Sequence, residues 1–240
     1  MNDTPGTRRE TRVGNSRGRR SPAAVGLVLL GGWLLIGCKA LLPPNDMVIG
    51  PAYKPSNVYR ASAVMPTTLR RVAVLPLAAV TPDAASEEGR LALEAVLGAE
   101  LGKTRAFETV PLSSEQMVKL TGRASWSAEE ALPASLVKAI RDRVGCDAIL
   151  FPKLSLFRAY PPIAIGWNIK LVECQENRIV WSVDELFDSG DGAVANAARL
   201  YYKEHLRQPE PLSDSMSVFS SPRRFGQYTL QAVFATLPAR

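Results

Sequence analysis

The chain has 240 residues, 46% of them hydrophobic and 22% charged. That suffices for one ordinary domain with a leader and a tail, and it excludes a wholly disordered chain. Residues 1–37 hold Arg8, Arg9, Arg12, Arg17, Arg19 and Arg20 against Asp3 and Glu10. That net +4 of the chain's +6 leaves only +2 for residues 38–240, so no nucleic-acid partner is expected.

The leader has three zones. An arginine-rich stretch ends at Arg20. Pro22 to Gly37 then runs for 16 residues without a charge, as PAAVGLVLLGGWLLIG, and Cys38 follows. A positive region, an apolar region and a small residue before the cut form the layout of a secretory signal. A bilayer-spanning helix takes about 20 residues, so an uncleaved signal anchor is the weaker reading. Leu35-Ile36-Gly37-Cys38 resembles the bacterial lipobox, with Ile36 standing where a small residue is usual. The resemblance implies cleavage between Gly37 and Cys38 and a diacylglycerol thioether on Cys38. No other cofactor is expected. Lys39, where an aspartate would signal retention, resembles an outer-membrane address, so a lipid-anchored protein on the periplasmic face of the envelope is expected.

Residues 38–68 contain Pro43, Pro44, Pro51, Pro55 and Pro66 and read as a lipidated tether. A segment packed on the domain is the other reading of its second half, around Val58 and Tyr59. The domain is expected over 69–240. RRVAVLPLAAV, from Arg70, reads as a buried strand. A helix follows from Ser86, with Leu93, Leu97 and Leu101 at helical spacing. FETVPL is a second strand. Ser113 with Gln116 forms a capping box for a short helix. A second box, Ser127 with Glu130, precedes the stripe Val137, Ile140, Val144, closed by Gly145. Residues 147–187 read as three strands joined by tight turns, an antiparallel meander. In the third, the face carrying Ile179, Trp181, Val183 and Glu185 is the drier one. A helix with Val194, Ala197, Ala198 and Tyr201 on one face follows. Ser221-Pro222 then opens a final helix bearing Leu230, Val233, Phe234 and Leu237. The order β-α-β-α-α-β-β-β-α-α predicts a two-layer α/β (α+β) domain with a mixed sheet.

A strand ending in VLPL (Arg71–Leu77) and a helix running into the strand Gly145–Phe151 carry a resemblance. Residues 70–187 resemble the envelope domain family that includes the TolB amino-terminal domain, the curli-secretion lipoprotein CsgG and the penicillin-binding-protein activator LpoB. The resemblance implies binding and assembly rather than catalysis. It brings no catalytic motif. CsgG-like pores insert amphipathic hairpins, whose membrane strands need about 9–11 alternating residues each, and four spare segments of that kind are not found. A subunit of an oligomeric secretion apparatus is therefore the alternative function.

The residues offer no catalytic set. His205 is the only histidine, so any Ser-His-Asp or Cys-His arrangement would have to use it. It is expected on the surface near a helix end. One histidine and scattered cysteines are poor material for zinc. Asp188-Ser189-Gly190-Asp191-Gly192 reads as a turn plus helix cap rather than a calcium loop, and Glu129-Glu130 as a solvated first helical turn rather than an acid/base pair. If strand 147–157 pairs with 164–174, Cys146 and Cys174 fall opposite each other. In an oxidising compartment they are expected within disulfide reach, with two buried thiols as the alternative. Arg223, Arg224 and Phe225 are the expected partner contact, because arginines at a helix N-terminus oppose its dipole and call for another reason to be there.

Overall fold

The computed structural model describes residues 53–79, 83–127, 129–130, 133–206 and 215–240. The leader, Gly37, Cys38 and the first half of the expected tether lie outside the described residues.

The elements in chain order are β1 (Val58–Arg60), β2 (Arg71–Val74), β3 (Ala78–Ala79), α1 (Ala84–Lys103), β4 (Glu108–Pro111), α2 (Ser114–Thr121), α3 (Ala134–Val144), β5 (Ala148–Arg158), β6 (Ala164–Glu173), β7 (Ile179–Asp188), α4 (Gly192–Tyr201) and α5 (Pro222–Phe234). A π-helical turn, Tyr202–Leu206, extends α4, and a 3₁₀ turn, Ser215–Ser220, precedes α5. The fold is the expected α/β one with a mixed sheet. The strands lie in the order β1-β7-β6-β5-β2-β4, with β3 pairing β5 off this path. The meander is antiparallel throughout: Ala148 pairs Glu173, and Trp167 pairs Glu185. Strand β2 runs parallel to both β4 and β5.

The two halves of the sheet are covered differently. Strand β2 alternates between two buried faces, with Val72 and Val74 on one and Ala73 on the other. On the first face, Leu93, Leu97 and Leu101 of α1 and Leu230, Val233 and Phe234 of α5 pack against Trp167, Ile169 and Trp181. On the second, Met117 of α2 and Val137 and Ile140 of α3 cover Ile149 and Phe151. The loop after β2 thus leads to one face and the loop after β4 to the other.

Local chemistry sets the helix ends. The Ser113–Gln116 capping box forms as expected, and Gly122 and Gly145 close α2 and α3 in the left-handed conformation. Helix α1 starts earlier than expected, because Asp83 accepts from the Ser86 backbone N–H and takes over as N-cap. The Ser127–Glu130 box does not start a helix. Ser127 Oγ accepts from the Glu129 N–H instead, and α3 begins at Ala134 behind Pro133, whose missing N–H suits that place. No described helix is long and apolar enough to cross a membrane.

The expected domain start at 69 is too late. Within the expected tether, Val58–Arg60 pairs antiparallel with β7, with Val58 opposite Val183, and Met65 is buried. The cause is long-range. The Glu185 carboxylate accepts from the Tyr53 hydroxyl at 2.6 Å and from the backbone N–H groups of Ser56 and Asn57 at 2.6 and 3.1 Å. Glu185 is thereby the polar member of the dry face of β7. Trp181 and Val183 are buried as expected, whereas Ile179 is exposed at the strand's start, beside a register shift at Leu171/Val172.

Candidate functional site

Cys38, the expected site of lipid attachment, lies outside the described residues. Three surfaces were expected from sequence: the start of α5, the thiol pair and the loops around Asp188 and Glu129.

Arg223 and Arg224 are exposed at the start of α5. Their guanidiniums also serve the fold. Arg223 Nε donates to the Ala92 carbonyl of α1 at 3.3 Å. Arg224 reaches the Ser217 carbonyl at 3.5 Å and stands 6.0 Å above the Tyr202 ring. Phe225 corrects the expectation. It is 0% exposed and packs in an aromatic cluster 5.8 Å from Tyr228 and 6.1 Å from Phe219. A partner cannot touch it. Phe225 sits eight residues before Val233, two helical turns, so the apolar stripe of the final helix was a signal for its burial.

Cys146 and Cys174 are both free thiols and both buried, with their sulfurs 3.8 Å apart. Cys174 N–H donates to the Asp147 carbonyl, so Cys174 stands across from Asp147 and diagonal to Cys146. The sulfur contact lowers the Cys146 thiol and, with burial, raises Cys174.

His205 stacks on Tyr201, with ring centroids 4.7 Å apart and planes 16° from parallel, and its Nδ1 is 3.2 Å from the Tyr201 carbonyl. Both contacts lie within its own helical turn. Asp188 accepts from the Gly190 N–H at 2.8 Å and pairs with Arg158 at 2.7 Å, and Asp191 caps α4. Among the described residues, no three metal-ligating side chains gather. Glu129 and Glu130 each pair with a different cation. Glu130 is held by Arg123 at 2.6 Å, which lowers its carboxyl below the ordinary range, and Glu129 pairs with Lys153.

Two clefts flank the parallel strands. The first, about 680 Å³, lies between the loop after β2, α1 and the α2–α3 loop, and it is lined by Arg90, Arg123 and Lys153 among others. Each of these cations has a carboxylate: Glu87 and Glu94 for Arg90, Glu130 for Arg123, Glu129 for Lys153. The second, about 670 Å³, lies on edge strand β4 beneath α2 and the end of α3. It is lined by Arg71, Lys119 and Arg143, and by the half-buried Val110, Leu120 and Val144. No signal in the sequence joins these three cations, which stand 48 and 24 residues apart along the chain.

No protein-family model and no curated protein matches the chain. Solved structures similar to it include the lipoprotein GNA1162 from Neisseria meningitidis, at a TM-score of 0.41 and 16% identity over 56% of this chain and 96% of that one. The PelC dodecamer from Paraburkholderia phytofirmans gives a TM-score of 0.40 and 13% identity, over 76% of this chain and 98% of that one. The LpoB C-terminal domain from Salmonella enterica gives 0.31 and 18%, over 50% and 83%. At TM-scores below 0.5 these likenesses carry no argument about function.

Proposed function

We propose that this chain is a lipid-anchored protein of the bacterial cell envelope that binds a protein partner and catalyses nothing. The observation that carries the reading is the position of Cys38, directly after an uncharged run of 16 residues and the triplet Leu35-Ile36-Gly37. Cleavage before Cys38 would leave a thiol ready for alkylation by diacylglycerol. Two or three acyl chains hold a protein firmly, at about 0.8 kcal/mol per buried CH₂. The tether is shorter than composition implies. Fourteen residues lie between Cys38 and Tyr53, where Glu185 takes hold of the chain. Fully extended, that stretch spans at most about 50 Å. Arg223 and Arg224 are contact residues in this reading, and Phe225 is not.

The secretion-apparatus alternative gains nothing from the described strands, since β5, β6 and β7 are all committed to one sheet. The test is the mass of the membrane-bound form expressed in a bacterial host. The reading expects an amino terminus at Cys38 carrying a diacylglycerol adduct. A membrane-bound chain that keeps residues 1–37 would make the leader a signal anchor.

A further inference from the structure

We infer that the cleft on β4 docks an acidic segment of a protein partner, with Lys119 and Arg143 as its charge contacts and Val110, Leu120 and Val144 as its apolar lining. The inference rests on the proposed function, because it names the chemistry of the partner that reading requires.

Charge accounting singles out this cleft. In the neighbouring cleft every lining cation has a carboxylate within 2.7 Å or in direct contact. On β4, the only carboxylate among the described residues that pairs with a lining cation is Glu108, 3.5 Å from Arg71 Nε. That nitrogen is shut off from solvent and makes no hydrogen bond among the described residues. Among the described residues, Lys119 and Arg143 have no ion-pair partner within 4.0 Å. Both stand in the last turn of their helices, where a cation suits the dipole. The dipole accounts for their place along each helix and leaves open the face they share. In a body of net charge +2, three cations against one carboxylate in a single cleft are a local excess.

The apolar lining argues for a protein segment rather than a small anion. Val110 of the outermost strand, Leu120 of α2 and Val144 of α3 are half-buried beside the cations, suited to an apolar side chain between two carboxylates. Pro111 has no N–H and blunts the strand edge, so side chains rather than strand addition would hold the partner.

Position agrees. The chain enters the fold at β1, and β4 is the opposite edge of the sheet. Five strand spacings of about 4.8 Å put the cleft roughly 24 Å from the tethered edge.

The experiment uses the full lipidated chain in neutral detergent and a fluorescent peptide, Glu-Leu-Asp-Glu-Leu-Asp-Glu-Leu in sequence, read by anisotropy. Its partner probe replaces every Glu and Asp by Gln and Asn. Wild type should prefer the acidic peptide at least tenfold at low salt, less so as salt screens the charges. Lys119→Glu and Arg143→Glu should each lower that affinity about tenfold. Lys138→Glu, which makes the same charge change at an exposed site on α3 away from the cleft, should lower it less than threefold. Unchanged circular dichroism shows that the variants fold, and an unchanged lipidated mass shows that anchoring survives. Equal binding of both peptides, or equal loss in all three variants, overturns the inference while leaving the lipid anchor intact. So does Lys119-dependent binding to phosphatidylglycerol vesicles without a peptide preference, which would make a membrane surface the occupant.

Discussion

Tyr53 donates its hydroxyl to Glu185 Oε1 across 2.6 Å and 132 residues of sequence. The contact turns a proline-rich stretch into part of the fold, because the same carboxylate also takes the backbone N–H groups of Ser56 and Asn57. Tyr53→Phe should cost about 1 kcal/mol, near the low end for a hydrogen bond to a charged group because the pair is half-exposed. Urea unfolding measures it, and earlier proteolysis after Lys54 should accompany the loss.

The same contact carries a pH dependence. Burial first, and then the hydrogen bond to Glu185, raises the Tyr53 phenol well above its ordinary 10.0. The folded state therefore holds this proton more tightly than the unfolded chain does. Its contribution is complete below pH 10 and is lost as pH climbs above that value. The stability gap between wild type and Tyr53→Phe should shrink between about pH 10 and pH 11. A gap that widens over this range would show that the phenol is not held neutral by the fold.

Two substitutions of one kind in α1 should have opposite signs. A Cβ at Gly89 would stand 2.5 Å from Phe157 Cγ and 2.9 Å from Leu154 Cδ2, whereas nothing lies within 4 Å of one at Gly98. Gly98→Ala should stabilise by about 0.5–1 kcal/mol through helix propensity. Gly89→Ala gains the same propensity and pays for overpacking, about 1–3 kcal/mol, so it should destabilise. Thermal unfolding of both variants checks the contrast.

Trp167 and Trp181 each aim an indole N–H at a threonine near the carboxyl end of the chain, Thr229 at 2.9 Å and Thr236 at 3.0 Å. Thr229→Val keeps the shape and orphans a wholly buried donor. It should cost about 1–3 kcal/mol in urea unfolding.

The thiol pair makes its own prediction. Denatured reduced protein should show Cys146 and Cys174 as two titratable thiols, their state in this structure. Oxidised glutathione should close them into a bridge, releasing two molecules of reduced glutathione and lowering the protein mass by two hydrogens. Their 3.8 Å separation makes this a local change. Two thiols surviving prolonged oxidation in the folded protein would show that burial protects them.

The sequence was informative where a pattern repeats over a few residues. The meander was legible because three apolar runs rich in strand-forming residues are set off by the turn residues Pro161-Pro162 and Glu176-Asn177. The α2 cap was legible because its box closes within four residues. What escaped depends on distance. Strand β1 has three residues and no periodicity, and Glu185 fixes it from the far end of the chain. Phe225 was misread because Ser-Pro-Arg-Arg marks an exposed helix start, while helical phase turns the next residue inward. The β4 cleft was invisible because Arg71, Lys119 and Arg143 meet only after the crossovers place α2 and α3 on the second face of the sheet.

The central claim is the lipid on Cys38. The most direct measurement is incorporation of a clickable palmitate into the full chain and its Cys38→Ala variant in a bacterial host. The account predicts that wild type takes the label and shortens, and that the variant does neither. A wild-type chain that stays unlabelled and keeps its leader would contradict it.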